Sequence, residues 1–186
     1  MADRLIVLAS RSPRRVDLLR GAGLDPIVDP ADIDESPHPG EAPLDYVARV
    51  ALGKLSAVVP RHGADRTVIA ADTTVALDGA VLGQPVDDDD ARGMLARLSG
   101  RTHEVHTAVA VSTGGRVGQC IVTSRVAFRR LSPARIEWYV ETGEPAGKAG
   151  SYAVQGLGGA LVAHVRGSWS NVVGLPLAET LSLLDL

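Results

Sequence analysis

Leu5-Ile6-Val7-Leu8-Ala9-Ser10-Arg11-Ser12-Pro13-Arg14-Arg15 runs from an apolar segment through a polar hinge into a pair of arginines. Leu5 to Ala9 has the length and content of a short buried strand. Ser12 suits a helix N-cap and Pro13 the first helical position, while Leu18, Leu19 and Gly21 mark a helix that stops at Gly21. A loop therefore joins a strand to a helix. Free N–H groups and partial positive charge gather at a helix start, so Arg14 and Arg15 oppose the dipole by some tenths of a kcal/mol each unless an anion sits among them. The pair reads either as a phosphate clamp or as two solvated arginines on an exposed first turn.

Outward from this stretch, 186 residues with 45% hydrophobic and 22% charged side chains suffice for one sizeable core or two small lobes around a cleft. A single unit spanning 1–186 is expected. The net charge of -3 comes with scattered basic residues, which argues against a duplex nucleic-acid surface but leaves room for a small anionic ligand. Cys120 is the only cysteine, so an internal disulfide and a thiolate metal cage are excluded and a cytoplasmic location is expected. No apolar run approaches a membrane span. The first one is short, has only Arg4 as a basic flank and leads into Arg11, so neither a membrane nor a targeting segment is expected.

Asp29 to Gly40 is rich in Asp, Glu and Pro and reads as an irregular acidic loop. Pro43 opens a helix to about Val59, with Leu44, Val47, Ala48, Ala51, Leu55 and Val58 at helical spacing. Lys54 falls on the edge of that stripe, either snorkelling or functional. A strand begins at Val68, runs to Leu77, turns at Asp78-Gly79 and returns through Ala80 to Leu82. Asp72 interrupts it. A carboxylate there must be paired, bound to metal or placed at a cleft, because an isolated buried charge is very costly.

Asp87 to Asp90 reads as the acidic first turn of a helix that runs through Leu98, with Met94, Leu95 and Leu98 inward. Thr102 to Thr113 and Arg116 to Phe128 are long strands around a Gly114-Gly115 turn, and His103 and His106, three apart, face opposite sides and make a poor metal pair. Ser132-Pro133 starts another helix with Ile136, Tyr139 and Val140 on its apolar face, which leaves Trp138 for packing or an interface. From Gly147 to Gly159 the repeated glycines demand close backbone approach, although Lys148-Ala149 lacks P-loop spacing. A strand from Ala160 to Val165, a loop through Ser168 to Asn171 and a helix from Pro176 to Leu184 complete the chain.

Ala9 to Arg15 with Leu18-Leu19, then Asp34-Glu35, Lys54, Ala71-Asp72-Thr73, Leu82-Gly83-Gln84-Pro85 and Gly150 to Gly156 stand in the order seen in the Maf family. The chain resembles that family over nearly its whole length. The resemblance implies a mixed α/β fold: a strongly bent sheet flanked by helices, elongated and two-lobed, Maf/ITPase-like, with a central cleft. It also implies a homodimer and hydrolysis of nucleoside triphosphates to a monophosphate and pyrophosphate. Ser10, Arg14 and Arg15 would hold phosphates, and Glu35, Lys54, Asp72 and Gln155 would line the cleft, with Asp72 in the general-base position. Glu35 and Asp72 would share Mg²⁺ or Mn²⁺, since hard oxygen ligands predominate. Thr73, Arg15 and Gln155 match the branch that acts on dTTP and UTP. Gln84 replaces a lysine that many relatives carry, a loss for which Lys148 would compensate. A nucleotide-binding regulator of cell division and septum formation is the competing reading.

Overall fold

The computed structural model describes residues 5–63 and 66–185; Arg4 lies outside them. Its elements are β1 (Ile6–Leu8), α1 (Pro13–Gly21), β2 (Ile27–Val28), α2 (Pro43–His62), β3 (Thr67–Leu77), β4 (Ala80–Leu82), α3 (Asp88–Leu98), β5 (Thr102–Thr113), β6 (Arg116–Phe128), α4 (Pro133–Glu141), β7 (Val162–Arg166), α5 (Trp169–Val173) and α6 (Leu177–Leu183). One mixed sheet runs β2-β1-β3-β5-β6-β7, with β4 on β3. β1 is parallel to β2 and β3, and every other pairing is antiparallel.

β1 is buried on both faces, which is why it reads as an unbroken apolar run. Ile6 and Leu8 pack with Leu19 of α1, whereas Val7 and Ala9 pack with Leu55 and Val58 of α2, as alternation along a strand requires. A separate core gathers Leu95 and Leu98 of α3, Tyr139 of α4, Phe128 and Leu161. β3 serves both, with Ile69 in the first core and Val75 in the other, so the long strands join two lobes. Gly114 and Gly115 both take positive φ, 53° and 75°, in the tight turn that pairs β5 with β6 along their lengths.

A gap in this sheet positions the site. Along one edge β3 pairs with β1 only as far as Ile69 and with β4 only from Val75 onward. Between those points the backbone of Asp72 and Thr73 is paired only with β5 on the other side. The loop after β1 lines a cleft together with Asp72, so a carboxylate inside the strand borders a cleft rather than a neighbouring strand.

Several boundaries differ from the sequence reading. Ser12 stands at the N-cap of α1, but its hydroxyl makes no capping bond; Ser10 Oγ accepts the Ser12 N–H instead, at 3.2 Å. α2 continues past Val59 to His62, where Arg61 and His62 both reach Asp29, at 3.0 and 2.7 Å. Trp169–Val173 is a helix, not a loop: Ser168 Oγ accepts from Asn171 N at 3.2 Å and caps it. Leu157–Leu161 form a 3-10 turn, so β7 begins only at Val162. Asp87 caps α3 by accepting from Asp90 N at 2.8 Å, and the acidic run is structural. Among the described residues no helix is long and apolar enough to cross a membrane.

Candidate active site

A cleft of about 540 Å³ lies between the lobes at the gap in β3. Ser10, Arg14, Arg15, Glu35, Lys54, Asp72, Thr73, Gln84, Lys148 and Gln155 all line it. They come from the β1–α1 loop, the first turn of α1, the acidic loop, α2, β3, the segment after β4 and the glycine-rich run.

At the floor, Lys54 Nζ donates to Glu35 Oε2 at 2.7 Å and to Asp72 Oδ1 at 2.9 Å. The lysine does not snorkel. Its side chain is only 10% exposed and that of Asp72 only 9%, whereas Glu35 is 46% exposed on its loop. Asp72 Oδ2 is buried and has no hydrogen-bond partner. Buried carboxylate oxygens are costly to leave unpaired, so this atom is poised for something that enters the cleft.

The two arginines are in different states. Arg15 is buried, and its guanidinium donates from Nε to the Gly174 carbonyl at 2.8 Å, from Nη1 to Ser10 Oγ at 2.9 Å and from Nη2 to Thr73 Oγ1 at 3.0 Å. Burial lowers its pKa, opposed by the negative charge of Asp72 and reinforced by Arg14. Arg14 is half-buried and spends only Nε on a protein partner, the Val173 carbonyl at 3.3 Å; burial lowers its pKa as well. Across the cleft, Lys148 Nζ reaches the Ala146 carbonyl at 2.9 Å, and its pKa is lowered first by burial and then by the charge of Arg14. Arg14 and Lys148 thus form a cationic pair whose mutual repulsion an anion between them would relieve. Gln84 lines the cleft without a charge.

The family profile described as Maf-like protein matches residues 5–186. The chain belongs to the Maf family. It is 54% identical over 182 residues to a dTTP/UTP pyrophosphatase of Myxococcus xanthus, covering 97% of this chain and 91% of that protein. A dTTP/UTP pyrophosphatase of Anaeromyxobacter dehalogenans is 57% identical over 188 residues, covering 99% and 94%. Among solved structures, a dITP/XTP pyrophosphatase of Mycobacterium abscessus has a TM-score of 0.42 and 21% identity, covering 68% of this chain and 75% of that one.

In this Maf protein a second layer beneath Thr73 escaped the sequence reading. Thr73 Oγ1 meets Thr107 Oγ1 at 2.9 Å, and Thr107 donates to the Asn171 carbonyl at 3.0 Å. Fully buried Asn171 in turn donates to the Val105 carbonyl and to Ser124 Oγ. The one sequence signal was an Asn beside Val172-Val173, three residues before Gly174. His103 and His106 are buried on separate partners, Tyr152 and Thr123, and do not meet. Trp138 is 40% exposed, with the Arg135 guanidinium 5.6 Å from its ring centre.

Proposed function

We propose that this Maf protein hydrolyses nucleoside triphosphates, dTTP and UTP foremost, to the nucleoside monophosphate and pyrophosphate. The observation that carries the reading is Asp72, a lining residue of a cleft rich in cations, tied to Lys54 through one oxygen while the other is buried and unpartnered. The names of the M. xanthus and A. dehalogenans relatives supply the substrate class.

Water attacks the α-phosphorus: its oxygen forms the new P–O bond, the bond from the α-phosphorus to the bridging oxygen breaks, and the electron pair leaves with pyrophosphate. Asp72 accepts the water proton, and Lys54 orients its carboxylate through Oδ1. Arg14 and Lys148 bind the phosphate oxygens by charge-assisted hydrogen bonds, with Gln84 as an uncharged neighbour. Arg15 fixes Ser10 and Thr73, and Gln155, whose amide both donates and accepts, pairs with the pyrimidine edge.

Glu35 and Asp72 are the residues that would hold a divalent ion, Mg²⁺ or Mn²⁺. They fit it, since Asp72 Oδ2 is a hard oxygen without a partner and two carboxylates plus substrate phosphates are a donor set such ions take. Among the described residues no group of three or more His, Cys, Asp or Glu gathers, and an ion held by Glu35 and Asp72 would take its remaining donors from substrate oxygens and water. Such an ion supplies charge neutralisation for the triphosphate and its leaving group.

The test is pyrophosphate release from a panel of nucleotides, in chelator and with added Mg²⁺ or Mn²⁺. The reading expects metal-dependent release, with dTTP and UTP ahead of CTP, ATP and GTP. Release of orthophosphate alone, or an equal rate for every base, contradicts it.

A further inference from the structure

Gln155 occupies the tip of a turn, Ala153 to Gly156, closed by a bond from Gly156 N to the Ala153 carbonyl at 3.1 Å. Its side chain is exposed in the cleft, yet the turn that carries it is fastened from beneath by a single carboxylate. Glu144, just past the end of α4, accepts from Leu157 N through Oε1 at 3.0 Å and from Gly158 N through Oε2 at 2.8 Å. The same Oε2 accepts from the Tyr139 hydroxyl at 2.7 Å, and that hydroxyl accepts from Ala153 N at 3.1 Å. Both sides of the turn therefore converge on Glu144, directly after Gln155 and through Tyr139 before it.

The packing is equally close. A Cβ on Gly156 would come within 1.9 Å of Glu144 Oε1, and one on Gly158 within 2.6 Å of the Tyr139 hydroxyl. Neither glycine has a positive φ; Gly156 is closed in by the Glu144 carboxylate, and Gly158 by the Tyr139 hydroxyl together with the Ala153 backbone. Burial penalises the Glu144 anion, but the Tyr139 hydroxyl and the two backbone N–H groups outweigh it and hold the carboxyl below its usual range. The anchor is thus charged at neutral pH. Charge-assisted bonds to backbone N–H groups are among the stronger ones available to a loop.

We infer that Glu144 is a positioning residue for base selection: it sets where the Gln155 amide stands, and so how well one nucleobase is told from another, without touching the nucleotide. This rests on the reading of Gln155 as the residue that pairs with the base. A base edge is read by hydrogen bonds whose strength falls steeply with misalignment, so a turn loosened by a fraction of an ångström loses discrimination before it loses phosphate binding.

The test compares kcat/KM for dTTP and CTP in the wild type, Glu144→Gln, Tyr139→Phe and Gln155→Ala. Inorganic tripolyphosphate serves as a base-free competitive inhibitor. Glu144→Gln keeps size but has one acceptor oxygen for three donors, and Tyr139→Phe removes only the hydroxyl. Both are expected to lower the dTTP-to-CTP ratio roughly tenfold, the scale of one well-made hydrogen bond lost, through the dTTP value. The CTP value and the inhibition constant of tripolyphosphate should stay within about twofold. Glu144→Gln combined with Gln155→Ala should be no less selective than Gln155→Ala alone, since both act through one amide. If Gln155→Ala abolishes discrimination while Glu144→Gln and Tyr139→Phe keep it, the role of Glu144 is wrong and the base reading stands. Absence of discrimination in the wild type overturns the base reading itself. If the anchor variants lose dTTP, CTP and tripolyphosphate together, Glu144 merely supports the fold and the inference falls.

Discussion

Lys54 between Glu35 and Asp72 is a buried ion pair, and such pairs rarely repay their desolvation. Lys54→Met should cost about 3–5 kcal/mol of stability, since it strands Asp72 without a counter-charge, and should abolish turnover. Lys54→Met with Asp72→Leu replaces both charges by apolar groups and should recover most of the melting temperature but none of the activity. Denaturant unfolding of the three proteins checks this; a double variant as unstable as the single one would show that the pair is retained for stability. The arginines separate the same way. Arg14→Ala should lower kcat/KM for dTTP by roughly 1.5–3 kcal/mol with little change in melting, because that guanidinium has few protein partners. Arg15→Ala should lower melting and activity together, because it removes a buried guanidinium that donates to Ser10, Thr73 and the Gly174 carbonyl at once. Equal melting losses in the two variants would contradict this division.

At the scale of elements, β5, β6 and the glycine-rich run meet at His103, edge-on to Phe128 and Tyr152, with Nε2 2.8 Å from the Tyr152 hydroxyl. Burial lowers the pKa of His103 to about 4. Above about pH 6.5 the ring is neutral in both states. As pH falls toward 4 the unfolded chain takes up the proton and the folded chain does not, so stability is lost across that window, on the order of 3 kcal/mol by pH 4. His103→Gln keeps a partner for Tyr152 without titrating, and its unfolding free energy should fall less between pH 7 and 4. Parallel curves for the two proteins would rule His103 out as the source.

The elements themselves were largely legible. Alternation and turn glycines marked β3, β4, β5 and β6, and Ser132-Pro133 marked α4, because these signals are local. α5 was not, because five residues carry too little periodicity; its cap, Ser168, shows only once Asn171 N is seen to reach it. Lys54 was equally ambiguous, since a lysine at the edge of an apolar stripe looks alike whether its ammonium meets water or two carboxylates from distant segments.

Across the whole molecule, a chain of net charge -3 gathers Arg11, Arg14, Arg15, Lys54 and Lys148 around one cleft. Composition excluded a broad basic surface and could not reveal this focus, which depends on a gap in a sheet edge and on two lobes meeting there. The order of motifs along the chain pointed to the cleft residues. What it could not convey was their arrangement: Arg15 built into the wall by three hydrogen bonds, Arg14 and Lys148 lining the cleft with few partners, Glu144 beneath the turn of Gln155. The account rests most heavily on the free oxygen of Asp72. Asp72→Asn keeps its size, and the measurement is kcat for dTTP at saturating Mg²⁺, beside nucleotide affinity and melting temperature. A fall of about 10²–10⁴ in kcat, with binding and melting largely kept, is the predicted result for loss of a general base. Full kcat in the variant would contradict the account and leave Asp72 as no more than the partner of Lys54.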